Sequence, residues 1–433
     1  MELVTTSTGT SADGLPEGWE TKTLGQIALL GGGVSASRAQ LSDRGHRYLH
    51  YGDIHVTDRT HVHAHDHYDH RPRLDVPLGK VKASALLRDG DVVFVDASED
   101  AEGVSRYVVV SNPNDVPFVS GLHTIVATGL TDSFDPLYLR YAFQADDIRD
   151  QFRFYAAGAK VSGMSKSNLA KVVVRIPPRA EQEAMAAVLS DIDALVESLN
   201  TLIAKKRALK TGTMQRLLTG RQRLAGFSGE WELRKLGELG DCLRGVSYNG
   251  SEDLSPSDTD STKRLLRSNN VQDATIVTND VQFVDEARVS DAQLMRRGDI
   301  LVCTANGSRD LVGKAARFEV SDGYDYTFGA FMGCFRTDPE RASPLYASYL
   351  FQSDEYRRQL DVLLAGSSIN NLKPSAIEGT EYSLPERDEQ EAISAVLSDM
   401  DAEIVALEAR RDKTRQLREG MMQELLTGRT RLV

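Results

Sequence analysis

Cysteine is scarce: Cys242, Cys303 and Cys334 are the only three in 433 residues, and no two form a CxxC pair. A disulfide framework or a zinc ribbon is therefore excluded, and reduced thiols in a packed interior are expected. No apolar run reaches the roughly 18 residues of a membrane span. The first twenty residues lack both a basic residue and an apolar segment, so no signal peptide is visible and the cytoplasm is the expected compartment. Basic residues are in deficit, 51 Lys and Arg against 63 Asp and Glu, a formal net charge of −12 that excludes a uniformly basic coat for nucleic acid. Catalytic signatures are missing too. The Pro-Pro of an adenine methyltransferase motif occurs only as Ile176-Pro177-Pro178, without the preceding acid or amide and without an aromatic after it. Between Gly307 and Gly313 there is one residue too many for a phosphate-binding loop, and Ala315 replaces the Mg²⁺-binding hydroxyl. Glu20-Thr21-Lys22 has no partner acid before it and reads as an exposed strand start rather than a nuclease motif.

What the chain does contain is a long internal repeat, and length alone argues for two or three domains. The stretch EQEAMAAVLSDIDALVESLNTLIAKKRALKTGTMQRLLTGRQRL from Glu181 returns from Glu389 as EQEAISAVLSDMDAEIVALEARRDKTRQLREGMMQELLTGRTRL, with 25 of 44 positions identical at an offset of 208. The same offset carries LYLRYAFQADDIRDQFRFYAAG from Leu137 onto LYASYLFQSDEYRRQLDVLLAG from Leu345, and RDGDVVF from Arg88 onto RRGDILV from Arg296. EGWETKTLGQI from Glu17 matches GEWELRKLGEL from Gly229 at an offset of 212. Each copy begins with short β-branched runs such as VVFVDAS, RYVVVS, VQFV and ILVCTA between Gly, Asp and Asn turns, and reads as mainly β with a few short helices.

Each copy then becomes helical. Pro177-Pro178 and Pro385 stop a strand, and Glu residues populate the first turn that follows, where the helix dipole favours anions. Leu189, Ile192, Val196, Leu199 and Ile203 follow a 3-4 spacing matched by Leu397, Met400, Ile404 and Leu407, one apolar seam per helix. Packing the two helices antiparallel, under a two-fold relation between the copies, would cover both seams. About 38 residues of helix would span roughly 57 Å and hold the β domains at a fixed distance. The alternative is that each helix packs on its own domain. The expected architecture is α+β, with mainly-β domains at 1–178 and 227–386 and long helices within 179–226 and 387–433.

An opening LPEGWETKTLGQI, a strand ending IPP or LPE, an EQ helix and an exit through LLTGRQRL or LLTGRTRL, all of it twice, resembles the specificity subunit of type I restriction-modification systems over essentially the full chain. Pro178-Arg179-Ala180-Glu181-Gln182 and Leu217-Leu218-Thr219-Gly220 are weak motifs singly; their duplicated order makes the match specific. The resemblance implies two target-recognition domains that each read half of a bipartite double-stranded DNA sequence, and helices that set the unread spacer and dock methylation subunits. It implies a chain that is not an enzyme and holds no metal or cofactor. Two methylation subunits, binding S-adenosylmethionine themselves, would act on adenine, and two restriction subunits would join for cleavage. The residues alone leave a rival, a coiled-coil scaffold whose β-rich domains bind proteins or glycans.

Phosphate binding depends on where cations cluster rather than on their total. Residues 151–180 hold six basic residues and no acid, and 205–223 hold seven and no acid. The first stripe includes Lys160, Ser162 and Lys166, aligned with Ser367, Ser368 and Lys373 in a small-polar loop that the resemblance places near DNA, where amides and hydroxyls could hold phosphates. The second could face phosphates across the spacer or dock an acidic partner. Docking is favoured because the copy at 410–431 interleaves acids, and Lys205, Lys206, Leu217, Leu218, Leu425 and Leu426 are its candidate residues. Base readout should come from loops that differ between the copies, with Arg suited to guanine and Asn to adenine. Candidates are Arg38, His55, Lys80, Lys82 and Arg106 in the first domain and Arg267, Asn269, Asn270, Arg309 and Lys314 in the second.

All nine histidines lie in the first copy. His61, His63, His65 and His67 alternate, with His70 just after, in a segment that coincides with about nine residues absent from the second copy. Period two would place four imidazoles on one strand face, where Zn²⁺ or Ni²⁺ could bind with Asp66 or Asp69. A surface hairpin is the favoured reading, and as a DNA-facing insertion it would be equipment specific to one target.

Overall fold

The computed structural model describes residues 3–4, 15–36, 38–57, 59–65, 73–98, 103–156, 162–365 and 370–432. It divides into two compact units, Met1–Asn200 with Arg410–Val433, and Thr201–Ala409. The division falls within both long helices, Arg179–Leu218 and Arg387–Leu426, so each unit contains one β-rich domain, the first half of one helix and the second half of the other.

The RDGDVVF and RRGDILV repeats are the central strands. Gly90 and Gly298, at φ +79° and +94°, make the left-handed turn that admits each strand. The strand Val92–Val95 pairs antiparallel with Tyr107–Ser111 and Thr124–Thr128 in a five-stranded sheet completed by Leu29–Gly32 and His61–His63. Period two sends Val92 and Phe94 into a core shared with the helices, and Val93 and Val95 into a second core against the parallel pair Arg47–Leu49 and Phe118–Ser120. The second unit repeats this plan. Ile300 and Val302 face the helical core, while Leu301 and Cys303 face the layer containing the parallel pair Thr262–Leu266 and Tyr326–Phe328. A strand buried on both faces explains why these runs are continuously apolar.

Matching clamps fasten the long helices inside each unit. In the first, buried Glu181, 6% exposed, accepts from Trp19 Nε1 at 3.0 Å and from Arg431 at 3.1 and 2.8 Å. In the second, Glu389, 2% exposed, accepts from Trp231 Nε1 at 3.1 Å and twice from Arg223 at 2.6 Å. These bonds to carboxylates raise the pKa of both guanidinium groups. The neighbouring glutamine pins the domain: Gln182 accepts from Asp135 N and donates to Ser133 and Pro177 carbonyls, and Gln390 accepts from Ser343 N and donates to the Pro385 carbonyl. Further along, Tyr141 donates to Asp193, which pairs with Arg418, and Tyr349 donates to Asp401, which pairs with Lys210 at 2.6 Å. Pairs such as Glu181 with Arg431 and Asp193 with Arg418 make the helix halves antiparallel within the first unit. Lys206 with Glu403 and Lys210 with Asp401, both at 2.6 Å, do so in the second.

The expected seam is sheltered: Leu189, Leu199, Ile203, Leu397 and Ile404 are buried, and Ile192, Val196, Met400 and Leu407 are half-buried. Its ends serve more than the helix pair. Leu189 lies in the first unit's core with Met422, Leu425 and Leu426, and Leu397 in the second unit's core with Met214, Leu217 and Leu218. The open face of each domain core is thus covered by both helices, which joins the two packing schemes that the sequence left as alternatives. Leu217, Leu218, Leu425 and Leu426, singled out from sequence for partner docking, are buried in the cores of the two units. After them Gly220 and Gly428, at φ +66° and +73°, end the helices in left-handed caps.

Two measurements check this packing. Leu189→Ala should cost about 3 kcal/mol and lower the thermal unfolding midpoint, whereas truncating exposed Leu417 should leave it within about 1 °C. All three cysteines are buried, and burial pushes the Cys242 thiol up to about 12 and raises those of Cys303 and Cys334. A thiol reagent at pH 8 should therefore label none in the folded chain and three in denaturant.

Candidate nucleic-acid interface

Strand ends converge on one cleft in the second unit. Leu266 leads into Arg267, Ser268 and Asn269; Phe328 leads into Gly329, Ala330 and Phe331; Cys303 leads into the 304–307 turn. The segment 370–372 returns beside that turn, with an Ala305–Asn371 bridge and Leu372 N donating to Thr304 O at 2.8 Å. The cleft measures about 900 Å³ and is lined by Tyr248, Arg267, Asn269, Asp280, Asn306, Phe331 and Asn370 among others. Phe331 is 72% exposed there. Glycine is required beneath it, because a Cβ on Gly245 would lie 2.0 Å from the Gly329 carbonyl oxygen.

Asp280 holds the polar groups of this cleft. Its carboxylate accepts from Asn269 Nδ2 at 2.7 Å and lies 3.4 Å from Arg267 Nη2. Arg267 Nε is buried without a hydrogen-bond partner among the described residues. Asn306 Nδ2 donates to Ser268 Oγ at 3.4 Å and Asn370 Nδ2 to the Gly307 carbonyl at 3.3 Å. Donors and acceptors thus stand side by side in the lining, and Tyr248 and Phe331 add aromatic faces.

Strand register locates the equivalent frame in the first unit. Ser120 pairs with Leu49 as Phe328 pairs with Leu266, so His50 stands where Arg267 stands, Tyr51 at Ser268 and Gly52 at Asn269. Each start is capped alike: Asp53 accepts from His50 N at 3.1 Å, and Asn270 from Arg267 N at 2.8 Å. Thr124 pairs with Val95 as Met332 pairs with Cys303, which places His123 at Phe331 and Asp96 at Thr304. Gly163 pairs with Ala97 as Asn371 bridges Ala305, which places Ser98 at Asn306. The two units thus share a backbone frame and differ in nearly every side chain lining it.

The profile of the type I restriction modification DNA specificity domain matches residues 16–205 and again 228–414. The chain belongs to this family. It is 29% identical over 197 residues to the StySPI specificity subunit of Salmonella potsdam and 28% identical over 198 residues to the EcoKI specificity subunit of Escherichia coli K12. Those alignments cover 45% and 46% of this chain but only 42% of each relative. A solved structure from work on complex assembly and conformational transition of the type I restriction-modification system shares the fold, at a TM-score of 0.60 and 16% identity, over 96% of this chain and 99% of the other.

Within this family fold, the residues singled out from sequence scatter. Arg267 and Asn269 line the cleft. Asn270 lies outside the cleft lining and is fully buried: its Oδ1 caps Arg267 and its Nδ2 donates to the Val277 and Asp280 carbonyls. Arg106 and Lys314 share one register position, outside the cleft lining, where their carbonyls accept from Val95 N and Cys303 N. Arg106 braces the end of the Tyr51–His55 helix by donating to the His55 and Thr57 carbonyls, and Arg309 donates to the Asp361 carbonyl. His55 packs edge-on to Tyr51 with centroids 5.7 Å apart. Lys80, Lys82, Lys166 and Lys373 are exposed, with the Lys166 ammonium close against the Gly32 backbone. The side chains of Arg38 and Ser162, and the residues Lys160, Ser367 and Ser368, lie outside the described residues.

About half of the cations in the two basic stripes are paired with acids in space. Arg153 pairs with Asp150, Arg175 with Asp147 and Arg179 with Asp135, while Lys206, Arg207 and Lys210 pair with Glu403, Glu408 and Asp401. Within the second stripe Lys206 is used within its own unit, while Lys205 stays exposed. The histidine alternation also stops early, because the strand ends at His63 and Ala64 turns inward, buried. His65 N donates to His63 Nδ1 at 3.3 Å, and His67, His70, Asp66 and Asp69 lie outside the described residues. Among the described residues no three His, Cys, Asp or Glu side chains are grouped to hold a metal ion, and no helix is long and apolar enough to cross a membrane.

Sequence reasoning missed His50, Tyr51, Asp96 and His123 in one unit and Asp280, Asn306, Phe331 and Asn370 in the other. Aligning the copies with the inserted segment in place would have found most of them, since the offset falls from 217 at Leu49 to 208 at Val92.

Proposed function

We propose that this chain is the non-catalytic DNA-specificity subunit of a type I restriction-modification complex, each unit reading one part of a bipartite duplex target. One observation carries the reading: a single backbone frame occurs twice and holds unlike side chains at the same positions, as an asymmetric two-part target requires. The donors Arg267, Asn269, Asn306 and Asn370 suit base edges and phosphates in the second unit. The rival scaffold reading loses its ground because the family match covers both halves.

The long helices set the spacer between the two parts and dock two methylation subunits. Docking falls to their exposed faces; Leu202 and Leu209, one heptad apart with Lys205 between them, suit an apolar partner helix. Adenine methylation, with S-adenosylmethionine bound on the partner, and cleavage by two restriction subunits belong to the cytoplasmic complex rather than to this chain.

Alone, a chain of net charge −12 should bind duplex DNA weakly. With its methylation subunits, binding should tighten and fall steeply as salt rises. Sequencing the adenines that the complex methylates should return one motif of two parts with a fixed gap; a salt-insensitive complex, or methylation with no two-part motif, sinks the proposal. Arg267→Ala should relax preference at a G·C pair in one part by about tenfold or more. Asp280→Asn, which frees Arg267 and Asn269 from a carboxylate, should raise affinity for unrelated duplex several-fold in a filter-binding assay.

A further inference from the structure

Resting on that reading of function, we infer that His50 and His123, on either side of Tyr51, are the specificity-determining residues of the first unit and together present one hydrogen-bond donor and one acceptor to the DNA. Their rings lie around a common centre: the Tyr51 ring is 4.4 Å from that of His50 and 5.3 Å, nearly perpendicular, from that of His123. Strand register puts them where the second unit has Arg267 and Phe331, the one a cleft donor and the other its exposed aromatic face.

The partner of each Nδ1 decides what each imidazole offers. His50 Nδ1 accepts from Gly52 N at 3.0 Å, so its proton is on Nε2, which becomes the donor. His123 Nδ1 is 3.3 Å from Asp96 Oδ1, a contact that requires the proton on Nδ1; in the neutral ring Nε2 is then the acceptor. Asp96 is itself fixed, its N–H donating to the His123 carbonyl at 3.1 Å and its carbonyl accepting from Met164 at 2.7 Å. His123 is held at φ +59°, a left-handed conformation that L-residues adopt sparingly and that gathers at functional positions. An imidazole donor suits the N7 and an imidazole acceptor the N6-amino group of adenine, on the same or a neighbouring A·T pair, whereas the all-donor guanidinium of Arg267 complements guanine. The two heads therefore demand different bases from one scaffold.

Two variants remove the rings while keeping the backbone. His50→Ser retains a side-chain oxygen to cap Gly52, and His123→Gly suits the left-handed φ. Each is assembled with the methylation subunits and given a pool of duplexes with randomised bases, and methylated adenines are sequenced. The expected result is a loss of about tenfold in preference at an A·T pair in one part of the motif, with the other part and the thermal unfolding midpoint unchanged. Arg267→Ala should do the reverse, loosening only the other part. A motif unchanged in both variants, or loosened equally in both parts, overturns the assignment, and a loss centred on a G·C pair overturns the donor-acceptor scheme. An unaltered complex that methylates without a two-part motif overturns the reading of function, and this assignment with it.

Discussion

A carboxylate buried in the first turn of each long helix is the constraint on which the units depend. Glu181 and Glu389 are nearly inaccessible to water, and a buried charge is tolerable only when partners surround it. Each is met by a tryptophan from the start of its β domain and by an arginine that follows the exit of the other long helix. One ion pair therefore joins three distant stretches of chain. It also requires each unit to be completed by a helix half that begins elsewhere in the sequence, so that the β domains cannot close their cores alone. Leu425 and Leu426 in one unit, and Leu217 and Leu218 in the other, complete the cover.

With the cores closed in this way, the strand ends above them are free to vary. A central strand buried on both faces, a parallel pair beneath it, and glycines where one backbone crosses another hold the cleft positions regardless of what side chain occupies them. Arginine, serine, threonine and phenylalanine in one unit occupy the positions that histidine, tyrosine, aspartate and histidine hold in the other. Scaffold and specificity are thereby separated: the clamps are the same in both units, and the cleft side chains are not.

Charge follows a similar logic. A window of sequence counts only neighbours along the chain, whereas an ion pair counts neighbours in space. Residues 205–223 look strongly basic in sequence, yet three of their cations meet acids some two hundred positions away on the second long helix. Conversely, the acidic total hides a cleft that gathers a guanidinium and three amide side chains. Neither the net charge nor the stripes locates the groups best suited to meet a duplex.

The repeat, the long helices and the family were legible in sequence because each depends on periodicity and order, which a linear string preserves. Leu189 and Leu397 could be recognised as seam residues from their spacing, and Arg267 and Asn269, picked out by their chemistry, line the cleft. The string does not carry the partner of each side chain. Asn270 is as suitable an amide as Asn269, yet a capping bond and two backbone carbonyls consume it. His50 and His123 are 73 positions apart and meet around Tyr51 only because the strands Arg47–Leu49 and Phe118–Ser120 run side by side. Sequence alone determined that there are two like scaffolds; tertiary structure decided which side chains line them, because burial and hydrogen-bond satisfaction are properties of neighbours in space.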